Sequence, residues 1–174
     1  MVKNNLQKAK VSIELYIEAR EKCPRIFQGR DVSNQDLKEC FKVVTLSTLP
    51  GVTPLGYCAS IVRFEDVDWN KFNVEALLKR LMMVMEYFLK EGLDFSGFHV
   101  VLDLANLKFG HLKKFNIEIM KTIKILMKAY PVSFSRISLI NYPQFIQKGI
   151  AIFKPFLSEK LMQRVRTLIL SVTM

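Results

Sequence analysis

Residues 97–111, which read GFHVVLDLANLKFGH, constrain the fold more than any other part of the chain. Within this stretch, 98–102 is a short, mostly apolar run with turn-forming residues on both sides. Such runs are typical of strands buried on both faces, in the middle of a parallel or mixed sheet. The helical period of 113–130 and the next strand candidate, 136–140, then complete one right-handed βαβ unit.

Before this unit, apolar periodicity and turn residues predict four more elements. Helices are expected over 6–22 and over 34–39, where Ser33 is the candidate N-cap of the second helix. Strands are expected over 41–49 and 56–64. The turn PGVTPLG between the two strands predicts a hairpin, so the sheet is expected to be mixed.

A broad apolar stripe with several methionines predicts a long helix, capped by residues 70–73 and ended by Gly92. Its methionines are either ordinary core residues or a pliable ligand wall. Residues 142–153 form an apolar helix that Asn141 and Pro143 are expected to open. A short basic helix over 158–164 and a strand over 165–172 follow. The sequence therefore predicts one α/β domain, with a mixed, mostly parallel sheet of about five strands flanked by helices.

The net charge of +10 is concentrated in the last third of the chain. Residues 1–107 carry 14 basic and 14 acidic side chains, whereas residues 108–174 carry 12 basic side chains against Glu118 and Glu159. Such a basic field favours an anionic partner, either membrane lipid or nucleic acid. A solvated surface that keeps the protein soluble explains the same charge equally well.

The sequence offers little for catalysis, a cofactor or a metal. His99 and His111 are not at metal-ligand spacing, and neither a nucleophile elbow nor a glycine-rich phosphate loop occurs. Asp103 and His111 are expected to serve in the loop after the central strand, by accepting backbone hydrogen bonds or capping. The three cysteines are expected to be reduced thiols. The lack of such motifs predicts a non-enzymatic protein without cofactor. No apolar run approaches the roughly 20 residues that span a bilayer, which predicts a soluble, cytoplasmic protein.

Three segments in a fixed order resemble a known family: GFHVVLDLANLKFGHL, KAYPVSFSRISLINYP and FKPFLSEKLMQRV. Together they resemble the CRAL-TRIO lipid-binding domain, in the branch of the alpha-tocopherol transfer protein and cellular retinaldehyde-binding protein. The likeness is strong over residues 93–165 and looser over 8–64. It implies that 1–30 hold the last helix of an incomplete N-terminal helical region. Residues 31–174 would form a CRAL-TRIO-like lipid-binding domain that lacks its C-terminal part.

The resemblance also implies a site. Residues 142–153 are apolar on most of their circumference, so this helix is expected to be covered on both sides by core, ligand or membrane. On the residues alone it is a plain buried helix or a ligand-covering one; the resemblance implies a mobile lid over a deep lipid pocket. The implied pocket residues are almost all apolar: Leu81, Val84, Phe98, Leu102, Phe109, Ile125, Leu126, Tyr130, Ile137, Phe153 and Leu157. Such a wall suits a mostly hydrocarbon ligand.

A second implied site binds phosphoinositide headgroups through Lys160 and Arg164, which are four residues apart. A third basic position of the family falls on Ser133, with Arg136 or Lys154 as possible substitutes. The lysines at 114, 121 and 128 are instead expected to form a solvated helix face.

These residues predict non-catalytic binding and intermembrane transfer of a small hydrophobic lipid, tocopherol-, retinoid- or phosphoinositide-like. The expected partners are that lipid and an anionic, phosphoinositide-containing membrane surface with which the protein associates peripherally and transiently, and not nucleic acid. The alternative is a phosphoinositide-dependent membrane adaptor that transfers no cargo.

Overall fold

A mixed sheet with the spatial order β1-β2-β3-β4-β5 organises the fold in the computed structural model, which describes residues 6–31, 33–92, 94–130 and 132–168. β1 runs antiparallel to β2, and the three other pairings are parallel. The strands are β1 (Val44–Thr48), β2 (Tyr57–Phe64), β3 (Gly97–Asp103), β4 (Phe134–Ile140) and β5 (Val165–Thr167). The α/β class, the hairpin and the central position of β3 are as the sequence predicts.

Eight α-helices accompany the sheet in the described part of the chain: α1 (Leu6–Lys22), α2 (Pro24–Phe27), α3 (Gln35–Val43), α4 (Val74–Glu91), α5 (Phe109–Lys113), α6 (Ile117–Ala129), α7 (Ile146–Phe153) and α8 (Glu159–Met162). A 3₁₀ turn, Lys154–Phe156, joins the last two. Because each parallel crossover moves one strand further in the same direction, right-handed connections place their helices on one face of the sheet. α1 packs on α6, and α3 packs on α4 and β1.

Asparagine caps set three helix starts. The side chain of Asn73 accepts a hydrogen bond from Ala76 N (3.1 Å) and starts α4. Asn116 accepts from Ile119 N (2.9 Å) and starts α6, so the helix predicted over 113–130 begins at Ile117 and not at residue 113. Asn34, and not the predicted Ser33, caps α3 by accepting from Asp36 N (2.9 Å).

Three further boundaries differ from the prediction. α3 continues to Val43 because Leu37, Cys40 and Val43 form one buried helical face, so β1 begins at Val44 and not at residue 41. α7 begins at Ile146; Asn141 has φ 50° and turns the chain instead of capping the helix. α8 ends at Met162 and β5 at Thr167, and residues 169–172 of the predicted last strand lie outside the described residues.

Polar side chains fix the loop after β3, as expected for Asp103 and His111. Asp103 Oδ1 accepts from Ala105 N (3.2 Å) and from Asn141 Nδ2 (3.0 Å). His111 is fully buried, accepts from Lys108 N through Nδ1 (3.0 Å), and lies against the Phe64 and Phe72 rings. Burial lowers the pKa of His111, which favours the neutral ring that this contact needs. Both residues thus hold the loop that joins β3 to α5.

Gly97 is required where β3 meets β4. A Cβ atom at this position would come within 2.7 Å of the Ser133 carbonyl oxygen. The two strands approach each other closely there, and the register shifts between Phe98 and His99. The shift leaves Val100 opposite Ile137 and Leu102 opposite Leu139 on one face of the sheet.

Candidate lipid-binding site

A cavity of about 390 Å³ lies between that face of the sheet and the helices. Its floor consists of alternate residues from all five strands, as expected for side chains that share one face. The main floor residues are Leu46, Ser60, Val62, Phe64, Phe98, Val100, Leu102, Ile137, Leu139 and Val165. The one hydroxyl on this floor, on Ser60, lies 3.2 Å from Thr48 Oγ1 and so already has a partner.

The helices line the rest of the cavity with residues at helical spacing. α4 contributes Val74, Leu77, Leu78, Leu81, Met82, Val84 and Met85; α6 contributes Ile123, Leu126 and Met127; α7 contributes Ile146, Gly149, Ile150 and Phe153. Among the described residues that line the cavity, none carries a charged side chain. The arrangement therefore offers dispersion contacts and desolvation to a ligand, and little hydrogen bonding.

The structure brings eight of the eleven sequence-predicted pocket residues together around this cavity. They come from α4, β3, α6, β4 and the α7 region: Leu81, Val84, Phe98, Leu102, Leu126, Ile137, Phe153 and Leu157. Phe98 and Leu102 share a face because four residues along a strand is an even step. Their lipid contact stays a prediction, but their common location does not depend on any ligand.

The other three predicted pocket residues lie elsewhere. Phe109 is 44% exposed and packs edge-on against Phe145, with ring centroids 5.8 Å apart, next to the start of α7. Ile123, Leu126 and Met127 line the cavity from one side of α6, and a step of roughly 100° per residue puts Ile125 on the other side of the helix. Tyr130 is buried at the end of α6, where its hydroxyl group donates to Glu86 Oε1 (2.8 Å).

Glu86 collects hydrogen bonds from three parts of the chain outside α4. Its Oε1 atom accepts from Tyr16 on α1 (2.9 Å) and from Tyr130 after α6, and its Oε2 atom accepts from Arg30 Nη1 (2.6 Å). Burial alone raises the pKa of Glu86, but the hydrogen bonds from Arg30, Tyr130 and Tyr16 lower it below the ordinary value. Burial and the Glu86 contact raise the pKa of Tyr130. This cluster ties α1 to the helices that wall the cavity.

α7 presents one apolar face to the cavity and the other to solvent. Ile146, Gly149, Ile150 and Phe153 point inward, whereas Gln147, Lys148, Ala151 and Ile152 are exposed. Of the two sides that the sequence predicts to be covered by core, ligand or membrane, the structure buries one, and cover of the other stays a prediction. The Phe153 ring contacts Phe115, with centroids 5.0 Å apart. A Cβ atom on Gly149 would lie 3.1 Å from Leu112 Cδ1, so α7 packs closely on α5.

The predicted basic residues are spread over one end of the sheet. Lys160 is exposed on α8. Arg164 follows that helix and donates to the Phe134 carbonyl (2.7 Å), 3.4 Å from Ser133 Oγ, so it is not one turn from Lys160 on a continuous helix. Arg136 is exposed beside His99 on the opposite face of the sheet from the cavity. The three side chains thus differ in setting: Lys160 and Arg136 are exposed, and Arg164 is bonded to the start of β4. Their common contact with a headgroup stays a prediction.

The described residues, 6–31, 33–92, 94–130 and 132–168, show neither a metal cluster nor a membrane-spanning helix. These residues contain no group of three or more His, Cys, Asp or Glu side chains that could hold a metal ion. None of their helices combines the length and the apolar character needed to cross a bilayer. Cys23, Cys40 and Cys58 are buried free thiols, and burial raises the pKa of each.

The family model for the CRAL/TRIO domain matches residues 44–169, which contain the whole described sheet. The chain belongs to the CRAL/TRIO domain family. The match begins at the first residue of β1, so the sheet and the helices between its strands are the CRAL/TRIO part of this chain. The predicted division into residues 1–30 and 31–174 stays a prediction.

Relatives of this CRAL/TRIO chain include Clavesin-1 from Rattus norvegicus, 25% identical over 100 residues, which cover 56% of this chain and 28% of that protein. Alpha-tocopherol transfer protein-like from Homo sapiens is 23% identical over 151 residues, or 86% of this chain and 44% of that protein. The crystal structure of Sfh5 aligns with a TM-score of 0.59 at 16% identity, covers 90% of this chain and 57% of that one, and shows a shared fold. The chain spans less than half of both curated relatives.

The CRAL/TRIO resemblance missed two groups of lining residues. Ser60, Val62 and Phe64 on β2 follow the strand period of two, so the hairpin prediction combined with alternation would have found them. Met82, Met85, Met127 and Met162 also line the cavity, and Met82 and Met85 on the long helix are at the same time buried core residues. Flexible, polarizable side chains of this kind adapt to irregular ligand shapes.

Proposed function

We propose that this chain binds a small, mostly hydrocarbon lipid in the cavity and transfers it between membranes without catalysis. The apolar cavity of about 390 Å³ carries the proposal, because its size lies in the range of ligand sites, roughly 300–1,000 Å³. Family membership supports it, as does the name of the relative called alpha-tocopherol transfer protein-like. Burial of the lipid tail would contribute about 0.8 kcal/mol for each CH₂ group.

The character of the wall narrows the proposed ligand. A lining without charged side chains would leave a phosphoinositide headgroup unpaired, and burying an unpaired charge is very costly. A tocopherol- or retinoid-like molecule, whose polar groups are few, meets no such penalty. We therefore place phosphoinositides at the membrane surface and not in the cavity.

In this proposal α7 is the lid. It contributes four lining residues from a single face, and aromatic contacts secure both ends of the helix, Phe109 with Phe145 and Phe115 with Phe153. Moving α7 outward would open the cavity along the length of the helix and expose its apolar face. A membrane would solvate that face with acyl chains, so opening would be favoured at a lipid surface and disfavoured in water.

The test is Leu102→Trp, which places a large ring in the cavity from the middle of its floor. The matched control is Val101→Trp, which adds the same ring on the opposite face of the same strand. Lipid that co-purifies with each protein is measured by native mass spectrometry, and transfer is measured between donor and acceptor vesicles. We expect Leu102→Trp to abolish both signals at an overpacking cost of about 1–3 kcal/mol, while Val101→Trp keeps them. Full loading of a folded Leu102→Trp protein would disprove the proposal.

The alternative function, a membrane adaptor without cargo, rests on the basic last third of the chain. Lys160 and Arg136 are exposed there and free to meet anionic lipid, whereas Arg164 also holds the start of β4 through the Phe134 carbonyl. Both functions need a peripheral, transient association of a cytoplasmic protein with the membrane. They differ in whether lipid leaves with the protein.

A further inference from the structure

A second, smaller space lies outside the cavity, between α3, the edge strand β1 and α4. This groove has a volume of about 260 Å³ and is lined by Leu37, Phe41, Leu46, Arg80, Met83, Val84 and Tyr87. Six of these seven residues are apolar or aromatic, so Arg80 is the one charged group in the lining. A groove of this composition resembles a binding site with one polar contact.

Arg80 is an unusual residue to find in this groove. Its side chain lies on α4 and is only 8% exposed. Its guanidinium group donates to the carbonyl groups of Val44 and Leu46 (3.3 Å for Leu46), which belong to the edge strand. The Phe41 ring covers it, with the guanidinium carbon 4.2 Å from the ring centroid.

No carboxylate of the described residues lies within 4.0 Å of the Arg80 guanidinium. Burial lowers the pKa of Arg80, and the nearby Cys40 thiol acts in the opposite direction. Buried charges in proteins are normally paired with an opposite charge. Here the neutral carbonyl groups satisfy hydrogen bonds and leave the positive charge uncompensated.

The groove and the cavity are neighbours. Leu46 and Val84 line both spaces, so these two side chains form a shared wall. A lipid molecule that extends from the groove past Leu46 and Val84 into the cavity would have its tail among the apolar residues of the cavity and its head group beside Arg80. Phe41, which is 48% exposed, is the side chain that such a head group would move aside.

We propose that the groove and the cavity together bind a single-chain lipid with one anionic head group, the head on Arg80 and the tail in the cavity. This inference rests on the proposed function and names its ligand class. A carboxylate and a phosphate share the required chemistry, because both accept hydrogen bonds from guanidinium. The groove thus adds selectivity for charge to a cavity that selects for hydrocarbon.

Three probes with the same monounsaturated hydrocarbon tail test this: oleic acid, oleoyl lysophosphatidic acid and oleyl alcohol, each measured by displacement of a fluorescent lipid. The full chain should bind at least one of the two acids about tenfold more tightly than the alcohol, since hydrogen bonds between charged groups are worth that ratio or more. Which acid binds more tightly distinguishes a carboxylate from a phosphate head. Equal affinities for all three probes would overturn the proposal.

Two kinds of variant localise the effect. Arg80→Gln should remove the preference for the acid by weakening its binding about tenfold, with the alcohol unchanged, and Arg80→Lys should keep most of the preference. Tyr87→Glu adds a negative charge at the groove mouth at a residue that is 60% exposed, so it should weaken acid binding even if Arg80→Gln does not fold. Ile117→Glu is the matched control, because Ile117 is 66% exposed and lines neither space.

The outcomes separate this inference from the proposed function. If the wild-type protein binds all three probes equally and Leu102→Trp abolishes that binding, the cavity binds lipid and Arg80 merely caps the free carbonyl groups of β1. If the wild-type protein binds none of the probes and carries no co-purified lipid, the proposed function itself fails. A preference for the acid that survives both Arg80→Gln and Tyr87→Glu would also refute the role of the groove.

Discussion

At the scale of single residues, Tyr130 shows that a family resemblance does not predict every contact of a side chain. The resemblance implies that Tyr130 lines the pocket, yet its hydroxyl group belongs to the Glu86 cluster. Sequence reasoning had no means of finding that cluster, because its members, Tyr16, Arg30, Glu86 and Tyr130, are separated by at least fourteen positions in the chain. Each looks like an ordinary surface or pocket residue until the fold brings the four together.

This assignment predicts the behaviour of Tyr130→Phe. Removal of a buried hydroxyl group that donates to a carboxylate should lower the free energy of unfolding by about 1.5–3 kcal/mol, measured by urea denaturation. Lipid loading of the folded protein should not change, because Tyr130 lies outside the cavity lining. Tyr87→Phe is the control: its hydroxyl group is exposed, and its effect should stay within about 0.5 kcal/mol. A loss of bound lipid with unchanged stability would instead indicate that Tyr130 contacts the lipid.

At the scale of elements, the sequence predicts best those segments whose period is unambiguous. β2, β3 and α4 match their predicted ranges closely, since each has turn or cap residues at both ends. The junction of α3 and β1 was misplaced because FKVVTLSTL is apolar at both helical and strand spacing. α6 begins later than the predicted residue 113, because the apolar period runs on through Asn116, which is the N-cap in the structure.

The position of α7 gives a prediction for the lid. A Cβ atom added to Gly149 would lie 3.1 Å from Leu112 Cδ1 on α5. Gly149→Val should therefore push α7 away from α5 and destabilise the closed lid by about 1–3 kcal/mol. Release of a fluorescent lipid to acceptor vesicles should become about tenfold faster or more, since 1.4 kcal/mol is a factor of ten.

Ala151→Val is the matched control for the lid, because it introduces the same side chain on the exposed face of the same helix. Its release rate should equal that of the wild-type protein. If both variants release lipid at the wild-type rate, α7 does not gate the cavity. If both accelerate release equally, the cause is reduced stability of the helix itself and not its contact with α5.

At the scale of the whole molecule, the sheet order and the cavity follow from patterns that the sequence contains. Parallel strands joined by right-handed crossover connections place the connecting helices over one face of the sheet. Apolar residues in excess of a tight core then line the space between that face and the helices. Eight of the eleven pocket residues that the family resemblance implies line that space for this reason. The same patterns do not predict how the side chains of Lys160, Arg136 and Arg164 are arranged, because these residues lie in or next to loops and strand ends that periodicity does not fix.

The same charge distribution gives the last prediction, on membrane binding. Lys160 and Arg136 are exposed in the part of the chain that holds the whole excess positive charge. Each should contribute about 1 kcal/mol of attraction to an anionic membrane. Lys160→Ala with Arg136→Ala should therefore weaken sedimentation with phosphoinositide vesicles about tenfold or more, and high salt should weaken the wild-type protein similarly.

Lys10→Ala with Lys38→Ala removes the same charge from exposed positions in the balanced first part of the chain, and this matched pair should bind vesicles as the wild-type protein does. Equal losses in both double variants would mean that net charge alone drives binding and that Lys160 and Arg136 do not form a specific membrane contact. The lipid content of the Lys160 and Arg136 double variant then decides between the two functions. A transfer protein should stay loaded but transfer slowly, whereas an adaptor should carry no lipid in any variant.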